Sequence, residues 1–379
     1  MKNFSILIGL TIFGFASAQI PNGYYNGTDG LTGAALKTKL SQIITAGHVD
    51  QGYGSGSSGL WLAYKTTDRD QYYEKDNTIL DMYSENPAPS EPGTVNDSYE
   101  YNYGSANAGG NQCGSANQNN EGFCYNREHS LPKNYFGGQS ASPMSSDANF
   151  IIPSDYYVNS QRSDYNYGEV GTATKTFTNG TKIGNSITPG YTNTVFEPIN
   201  EFKGDFARMH LYFITRYESR LPSFYALNKP ETPFDGSTYQ GFKTWYIQML
   251  LRWAAQDPVS QKEIDRNNAV YAFQGNRNPF IDHPEWISKI WTSNMSTDDL
   301  AFSKNYKIYP NPVKSGGIIT VDGKNLEQYT KAWIYNIVGQ RVMEIDQPFK
   351  NGNTIQIQNL PKGLYILKTK ELNTKFIVE

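Results

Sequence analysis

The feature that most limits how this chain can fold is a change of character near residues 297–303. Before it, several long stretches repeat apolar residues at helical spacing. After it, short β-rich runs alternate with Gly, Asn and Pro. A chain of 379 residues also exceeds the usual size of one hydrophobic core, so two folded parts are expected. The reading is a removable leader at 1–18, a main domain at 19–296, a connector at 297–304 and a C-terminal domain at 305–379.

The leader carries Lys2, an apolar run over 6–15 and the small residues Ala16-Ser-Ala18, the pattern of an export signal cleaved before Gln19. No later stretch approaches the ~20 apolar residues of a membrane-spanning helix, so no transmembrane segment is expected. Export places Cys113 and Cys124 in an oxidising compartment, where a disulfide is the default. The bridge would pin the Gly-, Asn- and Ser-rich loop between them. Charged residues make up 18% of the chain and the net charge is −3. A chain so balanced has no general attraction for polyanions, so a phosphate site would have to gather a few cations locally.

Residues 31–45 carry Leu31, Ala35, Leu40, Ile43 and Ile44 at helical spacing. The run 52–59 reads as a flexible glycine loop, 87–93 and 104–120 as polar insertions, and 165–189 as short strands and turns. Asp205 suits the N-cap of a core helix over 206–217, with Phe206, Met209, Phe213, Ile214 and Tyr217 on one face. A second helix is expected over 245–253, a third from Asp257-Pro258 to about Phe273, and a closing loop over 275–284.

Chemistry concentrates in Cys124-Tyr-Asn-Arg-Glu-His-Ser-Leu-Pro132, where Glu128 stands beside His129. A neutral imidazole can take a proton from water, a carboxylate and an amide oxygen are hard ligands for Mg²⁺ or Ca²⁺, and an arginine can hold a phosphate. Alone, a Glu-His pair is more often a surface hydrogen bond. Here it is followed by Leu131-Pro132 and by Val158-Asn-x-x-Arg-Ser163, a combination that resembles the endonuclease I family of exported ββα-metal nucleases. The resemblance returns at Glu197-Pro198, Lys203-Gly-Asp-Phe-Ala-Arg208, Tyr212, Arg216-Tyr217, Arg266-Asn267, Gln274-Gly-Asn-Arg-Asn-Pro-Phe-Ile-Asp282 and Pro284.

The resemblance implies an α+β fold, with a ββα-metal core embedded in a mostly helical domain. It implies a strand over 78–83 leading towards the site, with Ile79, Asp81 and Tyr83 alternating along it. His129 would be the general base at a strand end, and Glu128 and Asn159 would hold one Mg²⁺ or Mn²⁺, Asn159 from the crossing helix. Arg162, three residues after Asn159 on the same helical face, would contact phosphate, or else pair with Asp155 or Asp164. Arg208 and Arg277 are weaker candidates for that contact, their other reading being ties within the domain. His48, His210 and His283 read as structural. One departure stands out, because the family commonly shows Asp-x-His where this chain has Asp147-Ala-Asn149. No arginine between His129 and Asn159 is available to clamp the transition state.

In the tail, Ile308-Tyr-Pro-Asn-Pro-Val313, the run around Trp333 and Leu360-Pro-Lys-Gly-Leu-Tyr365 resemble the C-terminal sorting domain of type IX secretion, a small all-β sandwich. A carbohydrate-binding sandwich is the competing reading, but no aromatic binding strip supports it. Together the resemblances imply a secreted or surface-held, monomeric, metal-dependent and sequence-nonspecific endonuclease. It would cut DNA, or RNA, to 5′-phosphate ends and engage the type IX machinery through its tail. The alternatives are an extracellular ribonuclease and a catalytically weak module that binds nucleic acid at the surface.

Overall fold

The computed structural model describes residues 20–379 except 88–98, 115–118, 292–305, 324, 337–340, 351, 359 and 370–372. The expected leader and connector therefore lie outside the described residues. Helix α1 (Gly33–Ala46) buries Leu36, Leu40 and Ile44, four residues apart, as one apolar stripe. The short helix α2 (Leu60–Ala63) follows the glycine loop. That loop is pinned rather than free. Gly54 and Gly59 have φ of 82° and 56°, and a Cβ on Gly54 would lie 2.0 Å from the Ser58 carbonyl oxygen, so only glycine fits there.

Residues 78–83 form no strand. Their backbone donors go to scattered acceptors instead, Ile79 N to the Tyr101 carbonyl and Leu80 N to that of Asp68, while Tyr83 N is taken by the Asp81 side chain. With each donor satisfied separately, no ladder can form. The segment is nonetheless buried and leads inward.

Strand β1 (Tyr125–His129) pairs antiparallel with β2 (Ile151–Asp155), Glu128 opposite Ile152 and His129 opposite Ile151. Helix α3 (Tyr156–Arg162) follows β2 without a loop and is capped by Asp155, whose Oδ1 accepts from Val158 N at 2.7 Å. The other Asp155 oxygen accepts from Gly122 N, and Tyr156 N donates to the Cys124 carbonyl. Cys113 and Cys124 are joined, so the disulfide hairpin holds the start of α3. Closing a loop of this size stabilises by about 2–3 kcal/mol on a chain-entropy account.

Strands β3 (Val170–Thr176), β4 (Lys182–Ser186) and β5 (Thr194–Glu197) make a three-stranded antiparallel sheet. The central helix α4 (Lys203–Arg216) is buried from Gly204 onward. It begins earlier than expected, and Asp205 is not its cap. A 3-10 turn at Asn200–Phe202 leads in, and Asp205 lies in the first turn with its carboxylate on Lys262. The short α5 (Leu221–Tyr225) and then α6 (Thr244–Gln256) follow.

Helix α7 (Gln261–Gln274) starts after the expected Asp257-Pro258, because Ser260 and Glu263 form a capping box. Asp257 instead accepts from Gly204 N at 2.7 Å. The expected closing loop contains α8 (Pro279–Asp282), and α9 (Glu285–Trp291) comes after it. These elements share one hydrophobic cluster running from Tyr25 to Trp291.

A second cluster, with no residue in common, is built from β6 (Lys307–Tyr309), β7 (Ile318–Asp322), β8 (Lys331–Asn336), β9 (Arg341–Asp346), β10 (Thr354–Gln356), β11 (Gly363–Lys368) and β12 (Asn373–Val378). They form two antiparallel sheets, β10-β7-β6 and β12-β11-β8-β9. Ile319, Val321, Ile334, Leu367, Phe376 and Val378 fill the space inside, while alternate residues such as Leu364 and Ile377 face out. Among the described residues no helix is long and apolar enough to cross a membrane.

Candidate active site

Alternation along β1 sends its side chains to two different neighbourhoods. Asn126 and Glu128 meet α3: Asn159 donates through Nδ2 to Asn126 Oδ1 at 2.9 Å, and Arg162 Nη1 donates to Glu128 Oε1 at 2.6 Å. Arg127 and His129 meet the glycine loop on the other side. Arg127 Nη1 donates to the carbonyls of Tyr53 and Gly54 at 2.6 and 2.7 Å, and its guanidinium lies between the Tyr53 and Trp61 rings. That contact is what pins the loop. The Tyr53 ring in turn lies near-parallel to His129, 5.8 Å between centroids.

His129 ends β1 with 5% of its surface exposed. Its Nε2 is 3.3 Å from the Ser145 carbonyl. A carbonyl can only accept, so Nε2 carries the proton and Nδ1 is left with the free lone pair. Burial pushes the imidazole pKa down to about 3, with Lys133, Arg127 and Arg162 adding to the effect and the Ser145 carbonyl opposing it. The ring is therefore neutral at any ordinary pH.

The orienting carbonyl is itself anchored on both sides. Ser142 and Ser146 donate to Asp50, the latter at 2.6 Å. Just beyond, Asp147 accepts from Tyr212, Tyr217 and Gln274 at 2.7–2.8 Å. Asn149, at the departure from the family pattern, donates to Asn276 at 3.0 Å and is 2% exposed. It belongs to this buried polar network.

Glu128 is 4% exposed. Burial raises its proton affinity, and the Arg162 charge and the Tyr83 hydroxyl oppose the rise. Tyr83 donates to Glu128 Oε1 at 3.0 Å, and Tyr167 donates to the Tyr83 oxygen at 2.7 Å. Arg162 adds bonds to the carbonyls of His129 and Ser130 at 3.0 and 2.6 Å and lies 4.8 Å from the Tyr167 ring centre. Its partner is thus neither Asp155 nor Asp164. With 1% of its surface exposed, it directs these bonds into the protein. In place of the pairing with Asp155 or Asp164, Arg162 forms a brace that ties Glu128 to the end of β1.

The oxygens left over suit a hard cation. Glu128 Oε2 and Asn159 Oδ1 accept no hydrogen bond among the described residues, while the other polar atom of each side chain is held by the protein. One carboxylate and one amide oxygen, completed by water and phosphate oxygens, is a set Mg²⁺ accepts. No group of three or more His, Cys, Asp or Glu converges among the described residues, so a cage for zinc is not formed there.

His210 and His283, and the arginines Arg208 and Arg277, have partners away from β1. His210 is buried with Nδ1 2.9 Å from the Tyr246 hydroxyl, and His283 stacks on Trp286 at 4.0 Å. His48 lies beside the polar network, its pKa lowered by burial. Arg208 forks onto Glu263 and Arg277 onto Asp282. Tyr83, Tyr167, Asn126 and Ser145 escaped the sequence reading as site groups. Only Tyr83 carried a signal, as the inward end of an alternating run.

Residues 32–285 match the family Endonuclease I, and residues 307–379 match the secretion system C-terminal sorting domain. Two proteins named extracellular ribonuclease, from Bacillus subtilis (strain 168) and Bacillus amyloliquefaciens, are each 32% identical to the chain over 273 and 274 residues. Those alignments cover 71% of this chain and 78% of each relative.

Proposed function

The chain belongs to the endonuclease I family and is a secreted nuclease, and from that premise we propose that it hydrolyses RNA, and DNA less readily, with a bound Mg²⁺ or Mn²⁺. The observation that carries the reading is β1–β2–α3. It sets a neutral, oriented imidazole one residue from a carboxylate whose free oxygen, with that of Asn159, can take a cation. The RNA preference is supported by the names of the two Bacillus relatives. The tail, a sorting domain by its match, would engage the secretion machinery and take no part in the chemistry.

In this reading His129 Nδ1 accepts the proton of the attacking water, while Ser145 holds the ring and its tautomer. An approaching phosphate is anionic and raises the imidazole's proton affinity as it arrives, which offsets the low value set by burial. Glu128 and Asn159 would hold the cation, with Glu128 fixed in place by Arg162 and Tyr83. When bound, such a cation neutralises charge on the scissile phosphate and the leaving 3′-oxygen. That oxygen departs with the electrons of its bond to phosphorus and takes a proton from solvent water, and His129 returns its own proton to solvent, leaving 5′-phosphate and 3′-hydroxyl ends. Contacts of this kind read the backbone and leave the base sequence unread.

The test is cleavage of end-labelled RNA and DNA by the purified protein with Mg²⁺, with Mn²⁺ and with EDTA. Cleavage that stops in EDTA and leaves 5′-phosphates on both polymers, faster on RNA, is the expected result. Products ending in 2′,3′-cyclic phosphate, or undiminished cleavage in EDTA, would overturn the reading. Equal rates on both polymers would remove only the RNA preference.

A further inference from the structure

The segment that builds the site, residues 125–162, contains three cations: Arg127, Lys133 and Arg162. Two of them are committed inward, Arg127 to the glycine loop and Arg162 to Glu128 and two carbonyls. Lys133 differs from both. It is exposed, and among the described residues its ammonium donates only to the neutral amide oxygen of Gln139 at 3.2 Å.

Its backbone is also held in place. Lys133 opens the 3-10 turn Lys133–Phe136 directly after Pro132. Gly137 and Gly138, at φ of 108° and 83°, then turn the chain back so that Gly138 N donates to the Lys133 carbonyl at 2.8 Å. Tyr135 ties the turn to the Asp164 carbonyl at 2.7 Å, and the Phe136 ring lies 6.0 Å from that of His129. The turn that carries Lys133 is thereby packed against the imidazole.

We propose that Lys133 is the phosphate-contacting cation of this active site, placed by its turn beside His129 and free to leave Gln139 for a scissile phosphate oxygen. The proposal rests on the reading of His129 as the base. The imidazole is walled by the rings of Tyr53, Phe136 and Phe150, none of which can balance phosphate charge. A lysine suits the place because its ammonium is a compact charge on a flexible stem and can follow the phosphate as charge builds. It also supplies the local positive charge that a chain of net charge −3 otherwise lacks at this point.

The experiment compares full-length Lys133→Gln, Lys133→Arg and Lys133→Glu with His129→Ala, by kcat/KM on a fluorescent RNA oligonucleotide with Mg²⁺. Binding of the same oligonucleotide in EDTA is measured across salt. Lys133→Gln should lower kcat/KM roughly 10–100-fold, the worth of a charge-assisted hydrogen bond. Lys133→Glu should lose more, and Lys133→Arg should recover most of the loss. The slope of log affinity against log salt should become shallower by about 0.7, one phosphate contact on a single strand. If Lys133→Gln cleaves within about twofold of the parent with an unchanged salt slope while His129→Ala is inactive, the proposal is wrong and the base assignment stands. If His129→Ala stays active while Lys133→Gln loses activity and slope together, the base assignment fails and the phosphate contact holds.

Discussion

The two hydrophobic clusters bury different chemistry. In the first, Arg162, Arg208, Arg266, Arg277, Lys37 and Lys262 are all below about a tenth exposed, and each has a carboxylate partner. In the second, the buried polar residues among those described are Thr369 and Thr374, and ion pairs such as Lys331–Glu344 and Arg341–Glu344 stand in solvent. Buried ion pairs are a poor route to stability, since desolvation cancels much of the attraction. Their concentration in the nuclease part is better understood as a positioning device that fixes the few atoms on which chemistry depends. The sorting domain is instead held by an aliphatic two-sheet core with no buried ion pair among its described residues.

Removing one partner on each side of the comparison should break it most visibly. Arg162→Met strands Glu128 as an unpaired buried carboxylate and should cost about 3–5 kcal/mol in the denaturant transition of the nuclease part. Lys331→Ala should leave the transition of the sorting domain where it was. Equal shifts from the two substitutions would mean that burial does not separate the two regions.

A smaller effect sharpens the same contrast through pH. All four histidines precede the tail, at 48, 129, 210 and 283. Burial holds His210 at a pKa of about 3 against its ordinary 6.5. The unfolded chain therefore binds one more proton there between those values. The stability tied to neutral His210 is complete above pH 6.5 and is lost as pH falls towards 3. His210→Gln should reduce the slope of stability against pH in that window by about 1.4 kcal/mol per pH unit. A slope unchanged by the substitution would contradict the burial argument. The smallest effect is expected from deleting 305–379, which should leave cleavage in vitro within about twofold while abolishing export. A folded truncated protein without activity would place substrate contacts in the tail.

What the sequence revealed of this site follows from how far its parts are separated along the chain. Glu128 and His129 are neighbours, and Asn159 comes one strand and one helical turn after them, so a local motif could suggest them. The disulfide spans only a short loop. Tyr83 reaches Glu128 from 45 residues upstream, and Tyr167, 39 downstream, reaches it through Tyr83, and one tyrosine among 28 carries no mark of such a role. Arg162 was recognisable as a site residue, but its partner was not. The β-alternation that turns Glu128 towards α3 becomes meaningful only once the pairing with β2 is known. The strand expected at 78–83 failed for a related reason, since long-range acceptors at Asp68 and Tyr101 took the donors a ladder would have used.

The central claim is that catalysis runs through the free nitrogen of His129, and turnover of His129→Ala on RNA with saturating Mg²⁺ tests it most directly. The ring is walled by aromatic side chains rather than tied into an ion pair, so the variant should fold and bind oligonucleotide in EDTA like the parent. Turnover should fall roughly 10²–10⁴-fold, the usual worth of a positioned general base. Parental turnover in a folded His129→Ala protein would contradict the account.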